Sequence, residues 1–169
     1  MNRSFLFGLG LSALAMIPTH MHAVAQSTVP APAEAREASF QPTPVDLGDA
    51  LMAHQRYQAA IEAYMRAPVK SAEAWNKMGL AYQLMFNTEK AEHCYQKAQK
   101  LNPRNGSYTN NLGSIYMERR EYPRAERTFR KALKVNAQSA LFEKNLGTAL
   151  LAERKYPQGW LAYQRALAR

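Results

Sequence analysis

The chain of 169 residues has a single cysteine, Cys94, and no apolar run long enough to cross a bilayer. One cysteine cannot form an intrachain disulfide, so the fold must be stabilised by packing alone. A bilayer-spanning helix needs about 20 apolar residues, whereas the run from Phe5 to Ile17 has 13. Because 47% of the residues are apolar and 21% are charged, we expect about one soluble, folded domain.

The short apolar run near the start has the form of a secretory signal. Arg3 precedes it, and Ala23-Val24-Ala25 offers small residues at the two positions that a signal peptidase reads. The sequence therefore predicts a signal peptide over residues 1–25, cut between Ala25 and Gln26, and a periplasmic or otherwise exported protein. An uncleaved N-terminal anchor is the alternative.

Residues 26–40 are rich in proline and alanine and predict a disordered tether. The folded domain is then expected over residues 41–169. The formal net charge of the whole chain is +9, which favours an acidic partner or surface. Since we expect export, nucleic acid is not an expected partner.

A glycine-containing segment recurs along the predicted domain. The segment "WNKMGLAY" (75–82) is followed after 34 residues by "TNNLGSIY" and after another 34 by "EKNLGTAL", while "PVDLGDAL" stands 31 residues before it. Glycine inside a helix costs about 1 kcal/mol relative to alanine, so its recurrence indicates close helix contact. We expect Gly79 to face Ala91, so that Tyr95 can reach across.

Each copy is followed by a small, an aromatic and a small residue at i, i+4 and i+7, as in Ala91, Tyr95 and Ala98. This spacing places the three on one helix face, so every copy predicts two helices. Pro123 and Pro157 favour helix starts, and Pro103 favours a helix end. The predicted helices lie near 43–54, 57–67, 72–85, 88–101, 106–119, 122–135, 140–153 and 156–168.

These residues resemble the tetratricopeptide repeat (TPR) family, in an exported bacterial form. The match is carried by Trp75, Met78-Gly79, Tyr82, Ala91, Tyr95, Ala98 and Pro103. The resemblance implies an all-α solenoid of about four antiparallel helix pairs in a right-handed superhelical stack. The implied units are 41–71, 72–105, 106–139 and 140–169, the first being short around Pro68.

No catalytic or metal-binding constellation is evident in the sequence. His54 and His93 stand in different units, and His93 and Cys94 are adjacent, so their side chains point about 100° apart on a helix. Cys94 has no glycine-rich elbow or His–Asn partnership, and no glycine-rich loop could hold a phosphate. We predict a non-enzymatic protein without cofactor or metal, with an active Cys94 thiol as the rival hypothesis.

The TPR resemblance implies a concave groove, lined by the first helix of each unit, that binds a peptide or protein segment. We expect Asn111 and Asn145 to stack as a ladder, because amides can donate to and accept from a peptide backbone. The expected groove residues are Asp49, Asn76, Leu80, Gln83, Asn110, Asn111, Ser114, Met117, Lys144, Asn145 and Thr148.

Apolar and charged residues of this groove are expected to have different roles in binding a peptide. Leu80, Met117 and Leu151 should supply most of the affinity. Acidic residues near the first unit, Asp46 and Asp49, and Lys144 near the last suggest that charge sets the direction of a bound peptide. Its basic end would then lie toward the first unit.

The second helices predict a basic outer face, because their cations recur at spacings of 3, 4 and 3 residues. This face is either merely solvated or makes peripheral contact with anionic lipids, cell-wall polymers or an acidic protein. Its residues are Lys90, Lys97, Lys100, Arg124, Arg127, Lys131 and Lys134.

The last unit gives a further alternative. Trp160 and Leu167 either lie on a face where another repeat would stack, inviting a partner or a homo-oligomer, or Trp160 folds back onto its own first helix. The sequence as a whole favours a protein-binding adaptor of the cell envelope, in pilus or secretion-machine assembly by analogy. End-to-end oligomers and a basic-face binder of anionic polymers or lipids are the alternatives.

Overall fold

The computed structural model describes residues 41–169, which form eight α-helices joined by short connections. The predicted signal peptide at 1–25 and the predicted tether at 26–40 lie outside the described residues. The helices are α1 (Pro44–Ala53), α2 (Tyr57–Tyr64), α3 (Ala72–Leu84), α4 (Thr88–Leu101), α5 (Gly106–Glu118), α6 (Tyr122–Val135), α7 (Ala140–Ala152) and α8 (Tyr156–Leu167).

The predicted bounds of seven helices agree with the structure to within one residue, but the predicted end of α2 is wrong. This helix stops at Tyr64 rather than at residue 67. The N–H of Ala67 binds the carbonyl of Tyr64 at 3.0 Å in a tight turn. Pro68 follows, and the residue before a proline is disfavoured in helical geometry.

Side chains cap five of the eight helices at their N-termini. Each accepts a hydrogen bond from a backbone N–H of the first turn, which a helix cannot satisfy internally. The capping residues are Thr43, Ser71, Asn87, Asn105 and Ser139. Helices α6 and α8 carry Pro123 and Pro157 in the first turn instead, where no N–H is needed.

The same type of turn joins the first helix of each pair to the second. Gln55, Phe86, Arg120 and Arg154 have φ between 56° and 62°, in the left-handed region. The next N–H then returns to a carbonyl of the last helical turn, as from Asn87 to Tyr82 at 2.9 Å. This geometry is the Schellman motif. It reverses the chain identically in all four pairs, so the pairs can stack in register.

The recurring glycine accommodates an aromatic ring. A Cβ atom added to Gly79 would lie 2.7 Å from the ring of Tyr95. The prediction that Tyr95 reaches across at Gly79 is therefore confirmed, and it is the ring itself that fills the space that the missing side chain leaves. Gly113 holds Phe129 in the same way. Tyr95 and Phe129 are fully buried, so these notches position the core of each pair.

Each second helix packs against the first helix of the next pair, so the four pairs form one consecutive stack. The first helices α5 and α7 also contact each other directly. A cleft of about 540 Å³ separates the second helices α4 and α6. The stack therefore curves toward its first helices, whose exposed side chains form the inner face. None of the helices in residues 41–169 combines the length and apolar character that a membrane crossing needs.

Candidate functional site

Asparagine pairs connect the first helices along the inner face. The side-chain N–H of Asn111 donates to the carbonyl oxygen of Asn76 at 2.9 Å, and Asn145 donates to Asn110 at the same distance. The predicted ladder of Asn111 on Asn145 is thus corrected to two separate rungs, each joining consecutive repeats. Asn110 is only 4% exposed, so its amide is a structural part of the junction rather than a groove residue.

The two acidic residues at the first end of the predicted groove both have hydrogen-bond partners, but only Asp49 meets a cation. The Asp49 carboxylate accepts hydrogen bonds from Lys77 Nζ at 2.6 Å and from the Tyr64 hydroxyl at 2.7 Å. The carboxylate of Asp46 accepts from both the hydroxyl and the N–H of Thr43, which lowers the pKa of Asp46. Because Asp49 already has a cationic partner and Asp46 has only the neutral Thr43, the acidic end of the predicted groove rests on Asp46 alone.

Tyrosine hydroxyls from the second helices reach the inner face between the first helices. Tyr95 donates to Gln83 at 2.8 Å, and the Tyr163 and Thr148 hydroxyls lie 2.8 Å apart. Gln83 in turn donates to Glu118 of the next repeat. The floor of the groove is therefore held by hydrogen bonds, which fixes the positions of Gln83 and Thr148. Ser114 instead lies 3.4 Å from the backbone carbonyl of Asn110.

Apolar side chains remain exposed on the same face. Leu80 and Leu84 are 42% and 45% exposed and stand four residues apart on α3, so they form one stripe. Met117 and Leu151 lie farther along and are half-buried. Leu84 is not among the predicted groove residues, although its i+4 spacing from Leu80 indicates the same face.

The last helix pair has an open apolar cavity of about 580 Å³ on its end face, between α7 and α8. Leu141, Lys144, Leu151, Trp160 and Leu167 contribute to its lining. Trp160 is 64% exposed, and its ring lies against Tyr163 with the centroids 6.3 Å apart. Of the two alternatives for Trp160, the structure shows the exposed end face.

All seven predicted basic residues of the second helices are exposed. Arg124 already has partners, because it pairs with Glu121 and lies 4.0 Å above the Tyr116 ring. Three of the other cations, Lys100, Arg127 and Lys131, line the cleft between α4 and α6. Part of the predicted basic face is therefore a cleft with cationic walls.

Glutamates on the second helices α4 and α6 form hydrogen bonds with residues of the following repeat. Glu92 on α4 accepts hydrogen bonds from Tyr116 at 2.9 Å and Arg119 at 2.5 Å, both in the following repeat. Glu126 on α6 accepts from Lys155 at 2.6 Å. Burial raises the pKa of Glu126, but hydrogen bonds from Lys155 and Arg130 outweigh it and bring the pKa from 4.5 to about 2. The depressed pKa stabilises the fold above pH 4.5, and this contribution is lost as the pH falls toward 2.

Cys94 is buried, and burial raises the pKa of its thiol to about 11. At neutral pH it is therefore a protonated, apolar side chain rather than a thiolate nucleophile. His93 packs edge-on against Trp75, with the ring centroids 6.2 Å apart. Within residues 41–169, no three His, Cys, Asp or Glu side chains lie close enough together to hold a metal ion.

The repeats seen in the structure have counterparts in a known family. Two family profiles described as Tetratricopeptide repeat match residues 72–105 and 111–169, together more than half of the chain. The chain belongs to the tetratricopeptide repeat family. The predicted family and the all-α solenoid are thereby confirmed, and the chain is a scaffold for protein–protein interaction.

Solved structures share the arrangement of these tetratricopeptide repeats. A crystal structure of MamA superposes with a TM-score of 0.69 at 21% sequence identity, covering 74% of this chain and 75% of that chain. A second crystal structure of MamA gives a TM-score of 0.68 at 21% identity, covering 74% and 70%. At this identity the likeness shows the fold alone. A comparison with curated protein sequences finds no match.

Proposed function

We propose that this tetratricopeptide repeat protein is an exported adaptor that holds an extended segment of a partner protein along its inner face. The exposed leucine stripe of Leu80 and Leu84 carries the proposal, because it lies on the face that the family uses for recognition. The signal-like pattern of residues 1–25 supports a place in the cell envelope. The adaptor would serve there in the assembly of a machine such as a pilus or secretion system.

The asparagine rungs suit an extended backbone. One N–H of Asn111 is used in its rung with Asn76, and its carbonyl oxygen and second N–H can serve a peptide. A hydrogen bond contributes about 1 kcal/mol, so a few of them reach only about millimolar affinity. Burying one leucine adds about 1.5–3 kcal/mol. The apolar stripe is therefore expected to decide affinity, while the amides fix the register of the peptide.

Leu80→Asp and Leu84→Asp are each expected to weaken peptide binding at least tenfold, about 1.4 kcal/mol. A charge at either position interrupts the apolar stripe and leaves a carboxylate to desolvate on binding. Peptides selected against the wild-type protein from a library of extended sequences would be titrated by calorimetry against each variant.

Leu101→Asp is the matched control, because Leu101 has similar exposure but lies on the second helix α4. Binding should be unchanged in this variant.

Protein purified from the periplasmic fraction should begin at Gln26 by mass spectrometry, which tests export on the same sample. Equal losses at Leu101 and Leu80, or a protein retained in the cytoplasm, would contradict the proposal.

The cationic cleft favours a second candidate function, the binding of anionic envelope polymers or lipids. Lys100, Arg127 and Lys131 converge there from two helices, and three cations near an anionic surface contribute about 1 kcal/mol each. Retention on vesicles containing anionic lipid is expected to fall when Lys100→Glu and Lys131→Glu are combined. It should also fall at high salt. Retention that is independent of salt would rule this function out.

A further inference from the structure

The end face formed by α7 and α8 exposes large apolar side chains. Trp160 and Leu167 are 64% and 88% exposed beside the cavity of about 580 Å³. Trp160 stands 34 residues after Glu126, which binds Lys155 of the following repeat. Lys144 stands 34 residues after Asn110, which binds Asn145 of the following repeat. The residues of this face therefore stand at the positions that inner repeats use to bind the next repeat.

The first helix presents the complementary positions. Leu47 on α1 is 41% exposed, whereas its equivalents Met78, Leu112 and Leu146 are buried. Met78 packs among residues of the preceding repeat such as Ile61, and Leu112 packs with Tyr95. The outward side of α1 thus leaves exposed the surface that each later first helix buries against the preceding repeat.

The charges of the two faces match in the same register. Asp46 on α1 occupies the position of Asn145, the residue that binds Asn110 across a junction. Since Lys144 occupies the position of Asn110, stacking the two faces in register would bring Lys144 to Asp46. Only Oδ2 of Asp46 is used in the capping bonds to Thr43, so Oδ1 is left for the lysine.

A second pair of positions also corresponds. Arg56 on the turn after α1 occupies the position of Lys155, and Trp160 occupies the position of its partner Glu126. An arginine guanidinium over a tryptophan ring is an attractive cation–π contact. Both pairs therefore place a cation against an anion or an aromatic face, with no like charges opposed.

We propose that copies of this chain stack head to tail, with α1 of one copy packed against α7 and α8 of the next. The occupant of the apolar cavity is then a second copy, with Leu47 inserted among Leu141, Trp160 and Leu167. Such a contact joins unlike faces, so each added copy presents a new free face until the chain of copies ends or closes into a ring. The inference goes beyond peptide binding and does not depend on it.

Sedimentation velocity on the full chain over a range of concentrations tests this stacking. The weight-average mass of the wild type should rise with concentration to at least twice the 19.1 kDa of one chain. Lys144→Asp should reduce it to that of one chain at the same concentrations, because two carboxylates would then meet. Trp160→Ala should also lower the mass, without changing any charge.

The double variant Asp46→Lys with Lys144→Asp restores opposite charges and should recover the wild-type association. Melting temperatures verify that each variant is folded, which matters at Asp46 because of its capping role. A wild type that stays at the mass of one chain would overturn the proposal. Association that Lys144→Asp leaves unchanged would also overturn it, and is the result expected if copies assemble through residues 1–40. A folded double variant that fails to associate would overturn it as well.

Discussion

Gly113→Ala is expected to destabilise the protein by about 2–3 kcal/mol, the upper range for overpacking a core. Helix propensity alone predicts the opposite sign, since alanine is favoured over glycine by about 1 kcal/mol inside a helix. The added Cβ would lie 2.5 Å from Cε1 of Phe129. Phe129 is fully buried at the centre of the stack, so its ring can move only by displacing packed neighbours.

Gly147→Ala is the matched control for this substitution. Its added Cβ would lie 3.0 Å from Tyr163, a half-buried ring beside the open end cavity that has room to shift. We expect Gly147→Ala to cost at least about 1 kcal/mol less than Gly113→Ala, because overpacking costs depend on whether the neighbour can relax. Urea denaturation followed by circular dichroism measures both.

The double variant Gly113→Ala with Phe129→Leu should lose less free energy of unfolding than the two single variants lose in sum, because the smaller leucine leaves room for the added Cβ. Strict additivity would mean that the ring and the glycine do not compete for the same space. A stabilising Gly113→Ala would show that helix propensity outweighs contact at this position.

Glu92→Ala is expected to destabilise the protein by about 2 kcal/mol, because it removes the charged acceptor of two hydrogen bonds across the junction, while Arg119 keeps its ion pair with Glu121. Glu92 is 16% exposed at its side chain and accepts hydrogen bonds from Arg119 and Tyr116 of the next repeat. Unfolding should also become less cooperative, since repeat proteins depend on coupling between neighbours. A broader urea transition with a lower m-value would report this change.

Glu89→Ala, on the same helix but exposed, serves as the control and should change stability by less than about 0.5 kcal/mol. The double variant with Arg119→Ala gives the coupling energy across the junction. If Glu92→Ala and Glu89→Ala had equal effects, the contacts of Glu92 would contribute nothing to the junction.

The repeated pattern of glycine and aromatic residues allowed the fold to be predicted closely. A fixed spacing between Gly79 and Tyr95, repeated at Gly113 and Phe129, leaves few arrangements other than stacked helix pairs. The end of α2 was predicted wrongly because apolar periodicity continued to Ala67, while the turn before Pro68 ended the helix. Local turn chemistry overrode the periodicity there.

The candidate site was predicted less well, because side-chain pairing between repeats is not visible in a sequence. Nothing in the pattern shows that Lys77 reaches Asp49, or that Asn111 binds Asn76 rather than Asn145. These pairs depend on the offset between consecutive helices, which is 35 residues for the asparagine rungs rather than the repeat length of 34. Exposed residues such as Leu80 were easier to predict, since they depend only on the face of one helix.

The ring-filled glycine notches have a mechanical consequence. Within a pair, a rigid aromatic side chain occupies the gap between the two helices, as Phe129 does at Gly113, so the pair resists shear. Between pairs, long side chains such as Lys155 and Arg119 carry much of the polar contact, and their many rotatable bonds tolerate small changes of angle. The four helix pairs are therefore stiff units, and small changes of angle at their junctions would add up along the stack.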